Sequence, residues 1–127
     1  MTEQVCCCQS CGEQLTYQRY HAGHSDLGYL YCDTDSAVVT WSSYEPEYSK
    51  LSANIHPWML DEKGKAVIEQ AVIDCPYGGH FRFNAMPRCS LCLAELPQLA
   101  TDPIYVVVTG RQVSSADQQI WKTGANQ

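Results

Sequence analysis

The sequence lacks several features that would each indicate a function. No apolar run approaches the roughly 18 residues that a membrane-spanning helix needs, and residues 1–15 hold neither the basic nor the apolar part of a secretory signal. There is no nucleophile elbow and no Ser-His-Asp order, and the pair Gly78-Gly79 lacks the lysine and hydroxyl residue of a phosphate-binding loop. We therefore expect a soluble, cytoplasmic protein that is not an enzyme and has no membrane contact.

Basic residues are also scarce. The chain has 8 Lys and Arg against 14 Asp and Glu, for a formal net charge of −6, and no cluster contains more than two basic residues. Because nucleic-acid binding depends on a basic stripe that neutralises phosphates, direct contact with DNA or RNA is disfavoured. An acidic protein of this kind is better suited to a basic protein partner, since opposite charge speeds association.

The length of 127 residues fits a single domain over residues 1–127. We divide it into a first cysteine region at 8–41, a connection rich in aromatic and acidic residues at 42–74, and a second cysteine region at 75–113. A chain of this size buries a modest fraction of its surface, so a bound metal would stabilise it noticeably. Without an export signal, eight cysteines indicate metal ligands or free thiols rather than disulfides.

Local patterns predict a small metal-stabilised α+β fold with short antiparallel strands and one or two short helices. Apolar spacing of i to i+4, as in Val67–Ala71 and Ile68–Val72, favours a helix at 65–73, and its β-branched residues are also compatible with a strand. Ile120 and Trp121 are expected to form a last helical turn. Residues 1–7 are expected to be a flexible lead-in, and residues 42–65 either a long irregular connection or a short, poorly formed helix. Runs rich in β-branched and aromatic residues predict strands at 27–32, 37–41, 80–83, 104–109 and 111–113.

Two cysteine pairs with C-x2-C spacing are the strongest signal in the sequence, Cys8 with Cys11 and Cys89 with Cys92. Two intervening residues let one tight turn direct both sulfurs at a single tetrahedral ion. Gly12, directly after the first pair, permits the positive φ that such a turn requires. Each pair therefore predicts half of a metal site.

The first expected site combines Cys8 and Cys11 with Cys32 and Asp35. Asp35 lies three residues after Cys32, where a second cysteine would form another C-x2-C pair. Its carboxylate oxygen can bind zinc in place of a sulfur. The alternatives for the fourth ligand are His24, Cys6 and Cys7.

The second expected site combines Cys75, His80, Cys89 and Cys92. Three thiols and one imidazole form a common closed structural site, and the glycines before His80 allow the sharp fold that brings it to the ion. If water took the place of His80, the open position would lower the pKa of that water. No carboxylate lies within this motif to act as a base.

A different pairing of the same residues is also compatible with the spacing. Cys8, Cys11, Cys89 and Cys92 would then bind a single ion, which would leave Cys32 and Cys75 outside the site.

The motifs at residues 8–35 and 75–92 resemble the double knuckles of zinc-ribbon and rubredoxin-like proteins. The resemblance implies a fold built around metal-binding turns, and with both sites filled it implies two Zn²⁺ ions. It covers the ligand segments only and implies no activity.

We therefore expect a non-enzymatic zinc-binding module for protein interaction, with a basic partner. A bacterial immunity protein that inhibits a basic toxin is one concrete form of this hypothesis. Two alternatives stay open, a zinc-ribbon regulator associated with nucleic acid and a rubredoxin-like electron carrier that holds iron.

Overall fold

The structure is a computed structural model, and it describes residues 2–21, 27–52, 60–99, 104–108 and 111–122. Within these residues the protein is a small α+β fold with two β-sheets and two α-helices. Nowhere in these ranges is a helix both long and apolar enough to cross a lipid bilayer. The elements in chain order are β1 (Thr2–Cys7), β2 (Gln14–His21), β3 (Leu27–Cys32), β4 (Val38–Ser42), α1 (Pro46–Ser52), α2 (Glu62–Ala71), β5 (Phe81–Arg82), β6 (Ile104–Val107) and β7 (Gln112–Ser114).

The first sheet has the strand order β1-β2-β6, with antiparallel pairing throughout. Strands β1 and β2 form a hairpin whose last pair is Cys7 with Gln14, so the turn between them is the first C-x2-C segment. The expectation of a flexible lead-in at residues 1–7 is therefore wrong. Six of those residues pair with β2, because the cysteine turn reverses the chain and places them beside it.

The second sheet has the order β5-β3-β4-β7. The first three strands pair antiparallel as expected, whereas β7 runs parallel to β4, with Val113 beside Val39. A parallel neighbour needs a long crossover connection. Here the chain between β4 and β7 includes both helices and β6, so the connection passes through the first sheet.

The helix expected at residues 65–73 is confirmed as α2, although it begins three residues earlier. Its N-terminus is capped by the Asp61 carboxylate, which accepts a hydrogen bond of 2.8 Å from the Gly64 amide. Ile68 is its fully buried residue and packs into the core of the second sheet. Of the two expectations for residues 42–65, the structure has the short helix, α1, whose buried Tyr48 contacts the same core.

Three aromatic side chains form the centre of this core. The Trp41 ring centroid lies 5.6 Å from that of Trp121 and 6.0 Å from that of Tyr48. Trp121 does not continue a last helical turn as expected; it pairs in a β-bridge with Val72 and donates its indole N–H to Glu45 over 3.1 Å. The bridge buries the large indole ring while its one polar atom stays hydrogen-bonded. It is therefore favoured over a helical turn that would expose the ring.

The two sheets meet through tyrosines. The Tyr31 hydroxyl on β3 accepts a hydrogen bond of 3.1 Å from the Val106 amide on β6. Beside it, the Tyr105 ring stacks between Tyr20, at 5.4 Å, and Tyr29, at 4.6 Å. Burial raises the pKa of Tyr105 to about 12, with Tyr20 adding to the effect. These rings connect the first sheet to the second without a charged contact between them.

We predict that Gly28→Ala destabilises the second sheet. Gly28 lies opposite Trp41 in the β3–β4 pairing, and a Cβ at this position would overlap the indole, including its Nε1 at 2.7 Å. Overpacking of this kind costs about 1–3 kcal/mol, which urea denaturation would measure.

The control is the same substitution in a Trp41→Phe background, where the part of the indole that meets the new methyl is absent. The cost of Gly28→Ala should be smaller there. An equal cost in both backgrounds would show that the contact with the indole is not the cause.

Candidate metal centre

Four thiols from two distant parts of the chain meet at one end of the first sheet. The Sγ atoms of Cys8, Cys11, Cys89 and Cys92 all lie within 4.8 Å of one another. Cys8 is 3.6 Å from Cys92, and Cys11 is 3.7 Å from Cys89. Among the residues that the structure describes, this is the group of His, Cys, Asp and Glu that could hold a metal ion.

The first pair is held in a closed turn. The Cys8 amide donates to the Glu13 carbonyl over 2.9 Å, and the Gly12 amide donates to the Cys8 carbonyl over 2.8 Å. Gly12 has φ of +77°, in the left-handed region that favours glycine. The turn joins β1 to β2 and directs both thiols to the same side.

The second pair repeats this turn. The Cys89 amide donates to the Ala94 carbonyl over 2.9 Å, and the Leu93 amide donates to the Cys89 carbonyl over 3.0 Å. The amides of Leu91 and Cys92 lie 3.3 and 3.4 Å from the Cys89 sulfur and donate to it. Leu93 occupies the place that Gly12 has in the first turn and also has a positive φ, of 64°.

The spacing of the sulfurs fits a tetrahedral ion. A Zn–S distance of about 2.3 Å places the sulfurs of a regular tetrahedron about 3.8 Å apart. The two sulfur–sulfur distances across the turns, 3.6 and 3.7 Å, are close to that value. Cys8 and Cys89 are buried whereas Cys11 and Cys92 are exposed, so the centre lies at the protein surface with one side covered.

The four thiols cannot all ionise easily without a cation. Hydrogen bonding from the Cys11 amide, opposed by desolvation, lowers the pKa of Cys8 to about 7. At Cys11 the Glu13 amide acts to lower the pKa, but desolvation and the neighbouring thiols together raise it to about 12. A divalent cation would remove this conflict, because it stabilises all four thiolates at once.

The second turn is anchored to the first sheet by polar and apolar contacts. The Tyr17 hydroxyl on β2 donates to the Arg88 carbonyl over 3.0 Å, and the Arg88 guanidinium donates to the Leu93 carbonyl over 2.8 Å. Beneath the thiols lies a small core shared by the hairpin, the second turn and β6. Its buried members are Cys8, Leu15, Tyr17, Cys89, Leu96, Leu99 and Val106.

The structure groups the expected ligands differently from the two expected sites, and it matches the alternative pairing. Cys32 does not join Cys8 and Cys11, because it ends β3 and is buried in the core of the second sheet together with Cys75. Asp35 is 3.2 Å from the Arg111 Nε and accepts a hydrogen bond of 2.7 Å from the Ser36 amide.

The second expected site is separated in the same way. Cys75 belongs to the second-sheet core, whereas Cys89 and Cys92 belong to the four-thiol group. The exposed His80 ring lies 3.0 Å from the Asp74 carboxylate, with its Nδ1 facing that group. Spacing alone could not distinguish these groupings, because each C-x2-C turn has the same local geometry whichever partner it meets.

Of the other ligand alternatives, the structure describes the side chain of Cys7, which is not in the four-thiol group. Cys7 is exposed, and its sulfur lies 3.9 Å from the Gly12 carbonyl, to which it donates. His24 and the side chain of Cys6 lie outside the described residues.

Comparison with known proteins gives one match. The model of a family described as a domain of unknown function, DUF8255, matches residues 4–98. This range begins before the first cysteine turn and ends after the second, so it includes all four thiols. No curated protein and no solved structure matches the chain.

We predict opposite effects for two substitutions at equivalent places in the two turns. Gly12→Ala should destabilise the protein by about 1–2 kcal/mol, because alanine disfavours the left-handed backbone conformation at this position. A steric clash does not contribute, since no atom lies within 4 Å of the new Cβ. Leu93→Gly should stabilise it by up to about 1 kcal/mol, since it removes that cost.

Thermal and urea unfolding of both variants with metal bound would measure these effects. Changes of the same sign in the two variants would contradict the equivalence of the turns.

Proposed function

The chain belongs to the DUF8255 family, and we propose that this member is a non-enzymatic module that is stabilised by one zinc ion and binds another protein. The observation that carries the proposal is the meeting of four thiols in two equivalent turns. Binding energy at such a site contributes directly to folding.

The ligand set supports zinc in a zinc-ribbon-like centre. Four thiolates in a tetrahedron are a standard structural zinc site, and iron is the other metal that this set accommodates. A reducing compartment such as the cytoplasm would keep the thiols available for the ion. We propose one ion rather than two, because Cys32, Asp35, Cys75 and His80 do not form a second group of ligands.

The same ligand set favours a structural role. Four protein ligands fill a tetrahedral ion, so no position is left for the water or substrate that a catalytic zinc must bind. The surface near the centre offers an apolar contact instead, because Leu91, at the tip of the second turn, is 64% exposed. The net charge of −6 adds attraction to a basic partner. A bacterial immunity protein is one form of such a module.

A second function, electron transfer by a rubredoxin-like iron centre, is favoured by one observation. An aspartate ligand would disfavour iron, but all four members of the observed group are thiols. Cys11 and Cys92 are exposed, which would bring an iron ion close to an electron donor or acceptor.

We predict one zinc ion per chain in the purified, untagged protein, measured by elemental analysis together with native mass. Cys89→Ser should abolish the bound metal and lower the stability by several kcal/mol or prevent folding, because Cys89 is a buried member of the group. Cys7→Ser is the matched control. It changes a neighbouring exposed thiol outside the group and should retain the metal.

Each outcome distinguishes the candidates. A colourless protein with one zinc supports the structural centre, and a red protein with one iron supports the electron carrier. Two zinc ions would contradict the single centre. A Cys89→Ser variant with unchanged metal content and unchanged melting temperature would exclude the four-thiol site.

We predict that the zinc-loaded chain prefers a basic peptide to nucleic acid. Its binding to a fluorescent lysine-rich peptide should weaken when salt rises from about 50 to about 200 mM, and it should bind neither a DNA nor an RNA duplex at the higher salt. A glutamate-rich peptide of equal length is the control. Duplex binding that falls steeply with salt would instead support the nucleic-acid regulator.

A further inference from the structure

Two buried thiols lie together outside the four-thiol group. Cys32 ends β3 and is fully buried, and Cys75, in the segment between α2 and β5, is 6% exposed. Both belong to the core of the second sheet, and each thiol shifts the pKa of the other, although 43 positions separate them in the chain. They meet because the turn after β3 packs against the turn that begins at Cys75.

The turn at Cys32 has much of the geometry of the metal-binding turn at Cys89. The amides of Thr34 and Asp35 donate to the Cys32 sulfur over 3.4 and 3.2 Å, and the Cys32 amide donates to the Ala37 carbonyl over 3.0 Å. The corresponding hydrogen bonds at Cys89 are 3.3, 3.4 and 2.9 Å. The difference is the second thiol, since Asp35 stands in its place.

The turn at Cys75 faces it and also lacks a second thiol. Gly78 stands three residues after Cys75, where a C-x2-C pair would have its second cysteine, and its carbonyl accepts a hydrogen bond of 3.0 Å from the Cys32 thiol. A Cβ on Gly79 would meet the Asp33 carboxylate at 2.6 Å and the Thr34 side chain. Glycine at position 79 therefore permits the close approach of the two turns.

The groups around the pair do not complete a four-coordinate metal site. Asp35 contacts Arg111, and His80 contacts Asp74, at 3.2 and 3.0 Å. Two thiols from facing turns are what remains, and the amides of Thr34 and Asp35 donate to the Cys32 sulfur. This arrangement has the components of a redox dithiol, which needs one thiolate beside one thiol.

The ionisation of the pair agrees with the geometry. The hydrogen bond from Cys75 and the two turn amides, opposed by desolvation, lower the pKa of Cys32 to about 6. The same hydrogen bond, together with desolvation, raises the pKa of Cys75. Cys32 therefore loses its proton before Cys75 does, and the hydrogen bond from its thiol to the Gly78 carbonyl is given up when it ionises.

We propose that Cys32 and Cys75 form an oxidisable dithiol that closes to an intrachain disulfide when a hydroperoxide reaches it. The Cys32 thiolate attacks one peroxide oxygen, the O–O bond breaks, and Cys32 becomes a sulfenic acid while hydroxide leaves. The Cys75 sulfur then attacks the Cys32 sulfur, the S–O bond breaks, and the departing hydroxide takes the Cys75 proton to form water. In total, two thiols and one hydrogen peroxide give one disulfide and two waters.

The exposed turn at Gly78 provides a short route for so small an oxidant. The Cys32 sulfur contacts the Gly78 carbonyl, and no atom lies within 4 Å of the place where a Cβ on Gly78 would be. The buried Cys32 sulfur therefore contacts an exposed residue directly. Local opening of this turn would expose the sulfur to peroxide without unfolding of the sheet.

The test treats the full-length, metal-loaded protein with hydrogen peroxide, blocks the remaining thiols under denaturing conditions, and maps cross-linked peptides by mass spectrometry. We expect a mass loss of about 2 Da and a peptide pair joined through Cys32 and Cys75. The melting temperature should rise by roughly 5–10 °C, because the disulfide restricts the unfolded chain.

Variants separate this role from general oxidation. Cys75→Ser should stop the reaction at a sulfenic acid on Cys32 that a dimedone probe traps, and Cys32→Ser should leave Cys75 unreactive. Cys7→Ser should form the same cross-link as the natural chain. Full alkylation of Cys32 and Cys75 after treatment, or cross-links among other cysteines only, would overturn the proposal. Mapping of the natural chain decides the question even if a serine variant fails to fold.

Discussion

The contact of four thiols across 78 and 84 positions of the chain is the constraint on which the first sheet depends. Within the described residues, strand β1 pairs with β2 alone, and the turn that joins them supplies two of the four thiols of the candidate metal centre. The other half begins at Cys89, in a segment with little regular structure that Tyr17 and Arg88 tie to the sheet. Without an ion, four crowded thiols would lie where these segments meet, and no metal–sulfur bond would join the segments.

The second sheet is stabilised by different means. Its core consists of buried aromatic and branched side chains around Trp41, and it shares no buried residue with the core beneath the four thiols. The tyrosine stack and the Tyr31 hydroxyl join the two sheets. Metal coordination by the four thiols and apolar burial would therefore act on separate parts of one small protein, which suits a chain that is too short for a large core.

The sequence was sufficient for features that are local. The helix at α2, the strands at β3, β4 and β6, and the turn formed by Cys8-x2-Cys11-Gly12 each follow from residues close in the chain. The partner of each cysteine turn did not follow, because ligand spacing describes half a site and tertiary packing selects the other half. Strand β1 was missed for the same reason: its polar sequence becomes a strand by pairing with β2. The left-handed Leu93 had no glycine to indicate it.

Three of the four strands of the second sheet lie between the two cysteine turns, which has a consequence for the order of events during synthesis. Cys8 and Cys11 leave the ribosome long before Cys89 and Cys92, and two thiols alone do not fill a tetrahedral ion. Strands β3, β4 and β5 lie in the intervening chain, so their pairing shortens the loop that the ion must close and reduces its entropic cost. We expect metal capture to come after these strands have formed, once Cys89 and Cys92 have emerged.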